Sequence, residues 1–319
     1  MPLMGRWSNV LLLTLSALVA MAAPAPAHDM GGLNHISMRM PLELNAMSLE
    51  RLATTTPNLD LHTRYIYARL LLWQPGQVLV GCFYDGTRDE KAAVVTNADS
   101  LLRGKNVKIS FDFGAAPDYR PCAGLDPEGD VRVSFATLCC AGTIGRFAHD
   151  DMVKGKSTVD LKGLLASTDA EISRVIMHEL LHTLGLDHEH KSPEINCEPE
   201  FLKDKIMDDY RWDDETYRRN MQPINRDSNA YKWSDYDSKS IMKYYFKPTE
   251  LRSGSRSPCY SRENALPSET DYRGIRDAYS MPAVASTPES IRSAFGKIAT
   301  ANAPAAVTNL LRALPSPGR

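Results

Sequence analysis

Residues 175–190 read VIMHELLHTLGLDHEH, and His178, Glu179, His182, Gly185 and His188 within them spell H-E-x-x-H-x-x-G-x-x-H. Four helical residues turn the direction by about 40° and rise about 6 Å, so His178 and His182 stand one above the other on one face. Two imidazole nitrogens then reach one ion, at roughly 2.0–2.1 Å each for zinc. Glu179 lies about 100° round from His178, too far for convenient ligation, and is placed instead to contact a water on the metal. A third ligand on the same helix would fall at the wrong height. Gly185 permits a sharp turn, because glycine adopts positive φ at little cost, and His188 can return to the ion from another direction. Three neutral ligands leave a fourth position open, which marks a catalytic rather than a structural zinc. A lone H-x-x-x-H carries little, but five fixed positions in register are rare in a chain with only 8 His in 319 residues.

Outward from this stretch, the helix begins near Thr168, which stands with Glu171 in capping-box register. Upstream, Gln77 to Tyr84 is strand-like and Arg88 to Leu102 has apolar residues at helical spacing. Val107 to Phe113 and Val131 to Phe135 alternate apolar and polar residues, so each is expected to be a strand with one buried face. Ser157 to Leu161 is expected to be a further edge strand. This order indicates an α/β or α+β sheet region ahead of the histidine helix. Downstream, a loop rich in Pro, Asn and Asp leads to a helical stretch over Asp213 to Met221. Beyond Tyr279 the composition shifts to Ala, Pro and Ser, the character of a flexible appendage, and no internal repeat is found.

Composition sets the class. The chain is 43% hydrophobic and 24% charged, ordinary for a soluble globular protein. Its net charge of −2 and lack of a long basic run argue against nucleic acid. Arg6, the apolar run Val10 to Ala23 and Ala25-Pro26-Ala27 read as a secretory signal cut before His28. The competing reading, an uncleaved anchor, needs a span of ~20 apolar residues, longer than this run. Export would place the six cysteines (Cys82, Cys122, Cys139, Cys140, Cys197 and Cys259) in an oxidising compartment and favour disulfides. Adjacent Cys139 and Cys140 are expected to bond to different partners, since a vicinal bridge strains the backbone. His28, His35, His62 and His149 lie outside any ligand spacing.

A second motif gives the family. Tyr236 to Tyr244 reads YDSKSIMKY, which resembles the astacin Met-turn Y-D-x-x-S-I-M-H-Y, and His188-Glu189-His190 matches the H-E-H of many astacin-like enzymes. Leu266 to Tyr279 is similar to that family's last helix. The resemblance to this branch of the metzincins covers residues 71 to 280, densest at the histidine helix and Met-turn. It implies an α+β, zincin-like fold. An upper lobe would hold a twisted mixed sheet and two helices, the second bearing the zinc ligands, above an irregular lower lobe with the Met-turn. It implies that Met242 forms an apolar floor beneath the zinc, that Tyr244 stabilises the oxyanion, and that Glu189 supports the site and can pair with a processed N-terminus. Two departures stand out: Lys243 replaces the usual histidine, and Lys191 to Arg211 leaves the common R-x-D-R continuation and carries Cys197. The family's aspartate-switch propeptide motif is not seen.

The expected function is therefore that of a secreted or periplasmic zinc-dependent endopeptidase. One catalytic zinc would sit on His178, His182 and His188, with Glu179 as general base and Tyr244 as oxyanion donor. A protein or peptide substrate would lie extended along an edge strand, sought within residues 141–161, and the enzyme would act as a monomer with no stable membrane span. A matrixin-like protease would use the same three histidines, but the Met-turn tyrosine and H-E-H favour the astacin-like form. A non-catalytic zinc-containing binding or adhesion protein on the same scaffold is the alternative, and the intact Glu179 argues against it. The expected organisation is a signal peptide (1–27), an N-terminal extension or propeptide (28–70), a catalytic domain (71–280) and an Ala/Pro-rich tail (281–319).

Overall fold

The computed structural model describes residues 66–280 except 138, 151–152 and 229–230. The expected signal peptide, residues 28–65 of the extension and the tail lie outside the described residues. A two-stranded ribbon joins β1 (Tyr67–Ala68) to β7 (Tyr231–Lys232), and the main sheet holds β2 (Val78–Phe83), β3 (Ser110–Asp112), β4 (Val131–Ser134), β5 (Cys139–Gly142) and β6 (Val159–Leu161). Its strand order is β3-β2-β4-β6-β5, parallel throughout except for β5, which runs antiparallel to β6 at one edge. The mixed sheet carries the α+β architecture expected from sequence.

Helix α1 (Arg88–Leu102) forms over the expected span, and its start is fixed by Thr87, whose hydroxyl accepts from Glu90 N while Glu90 reaches back to Thr87 N at 2.7 Å. Its buried Val94, Ala98 and Leu101 share one core with Leu79 and Phe83 of β2, Val131 and Val133 of β4, and Val175, Ile176 and Leu180 of the histidine helix α2 (Asp169–Thr183). Below α2 the chain is irregular: short helices α3 (Lys203–Tyr210) and α4 (Asp214–Met221), 3₁₀ turns, and the closing helix α5 (Glu269–Ser280).

Several expectations are corrected. β4 is buried on both faces, not one. Arg132 makes that possible, donating to the carbonyls of Gly129, Ala148, Val153 and Lys156 at 2.8–2.9 Å. β6 is no edge strand: it pairs with β4 on one side and β5 on the other, so β5 takes the edge. Cys139 and Cys140 are bonded to each other across a cis peptide, because the other four cysteines pair as Cys82–Cys122 and Cys197–Cys259, with Cα atoms 4.9 and 5.7 Å apart. α3 lies in the segment read as loop, where only Ile206 and Tyr210, one turn apart, are buried.

Packing also extends ahead of residue 71. Ile66, Tyr67 and Ala68 are buried, and β1 lies between β7 and the turn after α2. Ala68 N donates to Gly185 O at 2.9 Å, and Ile66 O accepts from Asp187 N at 3.1 Å. Ile66–Ala68 therefore pack with the turn after α2 and with β7.

Candidate metal centre

Local chemistry fixes both ends of α2. Thr168 caps the start, its hydroxyl accepting from Glu171 N at 3.3 Å, with Asp169 and Glu171 in the first turn beside the positive end of the helix dipole. Only half of the expected capping box forms, because the Glu171 carboxylate turns to Arg174, accepting from Nη2 at 2.6 Å and Nε at 2.9 Å. At the other end Gly185 adopts φ +96°, its N–H bonds His182 O at 2.8 Å, and Leu186 N bonds Leu181 O at 3.1 Å. This is the Schellman arrangement, in which the left-handed residue satisfies the last carbonyls of the helix. A Cβ at 185 would also lie 2.7 Å from Leu72 Cδ2.

The turn delivers His188 to the other two histidines. Its Nε2 lies 3.0 Å from His182 Nε2 and 3.3 Å from His178 Nε2, and all three rings are buried. Two nitrogens on a tetrahedral zinc, each at 2.0–2.1 Å, would stand roughly 3.3 Å apart, so the donor set fits that ion. Each helical ring is oriented from behind: His178 Nδ1 bonds Ile241 O at 2.8 Å, and His182 Nδ1 bonds Leu186 O at 2.7 Å. A carbonyl can only accept, so each Nδ1 carries the proton and each Nε2 presents its lone pair to the centre. Burial, the largest cause, pushes all three histidines below their ordinary range, His182 to about 4, which favours the neutral rings a metal needs. Among the described residues this is the one cluster of His, Cys, Asp or Glu able to hold an ion; His149 stands apart, half-exposed and bonded to Asp130 at 2.7 Å.

The remaining expected residues gather round this triad. Glu179 is fully buried on α2, and β5 passes so close that a Cβ on Gly142 would lie 2.8 Å from Glu179 Oε2. The Tyr244 ring packs 4.2 Å from His188 and 4.5 Å from His190, centroid to centroid, and its hydroxyl has no partner among the described residues. Burial first, then the charge of Glu179, pushes that phenol well up and keeps it a donor. Met242 is buried, and its carbonyl accepts from Glu189 N at 3.1 Å. Glu189 accepts from Asp237 N at 2.8 Å, and burial pushes its carboxyl well up. Lys243 is buried too. It donates to Tyr244 O at 2.9 Å, and burial pulls it down to about 7, against the opposing influence of Glu189.

Sequence reasoning missed what holds the Met-turn. Asp271, on α5, accepts from Ser240 Oγ at 2.6 Å and Ile241 N at 3.0 Å, and so fixes the turn whose carbonyl orients His178. The signal was present in S-E-T-D at 268–271, a capping box in which Ser268 Oγ accepts from Asp271 N at 3.0 Å and Asp271 accepts from Ser268 N at 2.8 Å. His190 was also unassigned: its Nε2 bonds Asn220 O at 2.8 Å and its ring stacks on His188.

Comparison with known proteins gives the class. Residues 128–265, which span β4 to the loop after the Met-turn, match the family model described as Astacin, a peptidase family. The match marks a zinc metalloendopeptidase, with one catalytic zinc as its cofactor and protein as its substrate. More particularly, the matched stretch is similar to astacin. Among solved structures it is similar to myroilysin, at 23% identity and a TM-score of 0.56 over 68% of this chain and 98% of that one, a likeness that shows the fold. High choriolytic enzyme 1, a hatching enzyme zinc-protease from the medaka fish Oryzias latipes, is similar at 16% identity and a TM-score of 0.43, over 69% of this chain and 99% of that one. No curated protein matches the sequence.

Proposed function

We propose that His178, His182 and His188 hold the zinc and that Glu179 and Tyr244 carry the hydrolysis of an internal peptide bond. The observation that carries this reading is the convergence of three Nε2 atoms within 4.8 Å of one another, two of them behind Nδ1–carbonyl bonds. When bound, zinc acts as a Lewis acid that polarises the scissile carbonyl and brings the pKa of its water toward ~7. The Glu179 carboxylate takes the proton from the attacking water and later delivers it to the leaving amine nitrogen. The Tyr244 hydroxyl, a buried phenol held protonated, donates to the oxyanion as it forms. Substrate lies extended along the free side of β5, the antiparallel edge strand that passes over Glu179 at Gly142.

The chain works as an exported, monomeric enzyme, with residues 1–27 as its signal peptide and 28–65 as an extension ahead of a 66–280 catalytic domain. All six cysteines are paired, as an oxidising compartment allows. Among the described residues no helix is long and apolar enough to cross a membrane. Cleavage of an unfolded protein by the parent chain and by Glu179→Ala tests the reading. Parent activity should be abolished by chelator and restored by zinc, while Glu179→Ala should keep its zinc and lose turnover. Turnover retained in Glu179→Ala would rule out this mechanism; no cleavage by a fully processed, zinc-loaded parent would favour a zinc-containing binding protein instead.

A further inference from the structure

The three histidines do not reach the centre by equal means. His178 and His182 ride on α2, whose hydrogen-bonded backbone sets their spacing. His188 follows the turn at Gly185, outside any helix or strand, so its backbone must be held in another way.

Asp187 and Lys191 bracket it. Asp187 Oδ1 accepts from His188 N at 2.6 Å, and Lys191 N donates to His188 O at 3.1 Å, so both backbone groups of the ligand are taken. The two side chains then close the bracket, Lys191 Nζ lying 3.1 Å from Asp187 Oδ1 and 2.9 Å from Oδ2, with both side chains buried. The bracket is tied to the rest of the domain at three points. Asp187 N donates to Ile66 O at 3.1 Å ahead of β1, Ile224 N donates to Lys191 O at 2.9 Å after α4, and the Tyr231 hydroxyl of β7 bonds the Asp187 carboxylate. A buried ion pair is a poor source of stability, because desolvating both charges offsets most of their attraction. Its value here is geometric.

We propose that the buried Asp187–Lys191 pair is a positioning device for His188, setting the third ligand's backbone before the metal arrives and thereby raising zinc affinity. The inference rests on the reading of His188 as a zinc ligand. It assigns a role to two residues that touch neither the metal nor the reacting atoms.

The test uses the full chain and zinc alone. In Asp187→Leu/Lys191→Met both charges go together, so no lone charge is left buried; Asp187→Asn/Lys191→Met is a milder variant that also leaves no lone charge and keeps an oxygen for the His188 amide. Zinc affinity is read by competition with a chromophoric chelator, and amide hydrogen exchange over residues 185–191 is read in the metal-free protein. Asp187→Leu/Lys191→Met should keep its cooperative unfolding, bind zinc about 10–100-fold more weakly, as loss of a ligand's outer support does, and exchange the His188 amide faster without metal. Asp187→Asn/Lys191→Met should fall between it and the parent, and it decides the matter alone if Asp187→Leu/Lys191→Met fails to fold. Zinc affinity and metal-free exchange equal to the parent's in a folded variant would overturn the proposal. A parent chain that binds no zinc would overturn the site reading, and this inference with it.

Discussion

Gly142 and Glu179 leave no room between them: a Cβ at position 142 would lie 2.8 Å from both the carbonyl oxygen and Oε2 of Glu179, and 2.9 Å from His182 Cβ. The edge strand and the histidine helix are therefore in contact at the carboxylate proposed as general base. Gly142→Ala must push β5 outward or turn the Glu179 side chain. Overpacking of this kind costs about 1–3 kcal/mol, so kcat/KM should fall by about 10–100-fold. Zinc content should stay near the parent level, since the clash meets His182 at its Cβ and not at the Nε2 that faces the other two ligands. Parallel metal analysis and kinetics on a peptide substrate would check this, and an unchanged kcat/KM would show that the contact has no bearing on the chemistry.

Tyr244 presents a different case, because its ring is packed while its hydroxyl is free of partners among the described residues. Tyr244→Phe keeps the packing and removes only the donor. Loss of one oxyanion donor costs about 10²–10³ in rate, so kcat should drop by that factor while KM and zinc content hold. Equal kcat in the two proteins would remove Tyr244 from the mechanism.

The Met-turn hangs on Asp271. Asp271→Ala would leave Ser240 Oγ, Ile241 N and Ser268 N without their buried acceptor. We expect a loss of about 3 kcal/mol in urea unfolding. Because Ile241 O orients His178, zinc affinity should also fall by about tenfold or more. Stability lost with zinc affinity intact would separate the turn from the ligand.

Much of this was legible in the sequence, and what was not has a common cause. The histidine helix, its stop at Gly185 and the Met-turn are set by residues close together in the chain, and α1 matched its expected span because its cap and its apolar spacing are local. The mutual pairing of Cys139 and Cys140 depended on where Cys82, Cys122, Cys197 and Cys259 come together in space. Arg132 reads as a polar residue facing water; the nearby carbonyl of Gly129 and three distant ones make it a core residue. Ile66–Ala68 joined the domain through partners at 185–187 and 231–232, which no local pattern announces. The candidate site has its residues at fixed local spacing; its supports are long-range and left little local trace.

Glu250 gives the protein a pH dependence away from the metal. It is buried, accepts from Lys247 N at 2.7 Å and Tyr210 Oη at 3.2 Å, and burial, its largest influence, pushes its carboxyl up to about 7. Between about pH 4.5 and 7 the folded state holds a proton that the unfolded chain has released, so this contribution is full below 4.5 and is lost as pH rises through 7. Glu250→Gln should flatten that slope, by on the order of 1–2 kcal/mol across the window. Urea midpoints at several pH values would show it, and parallel curves for parent and variant would contradict it.

Zinc K-edge X-ray absorption on the purified, processed chain tests the central claim most directly, because it reads the metal, its count and its ligands together. The account predicts one zinc per chain, held by three imidazole nitrogens at about 2.0–2.1 Å with oxygen completing the shell, and loss of one imidazole in His188→Ala. A folded chain that takes up no zinc, or a coordination shell unchanged by His188→Ala, would contradict it.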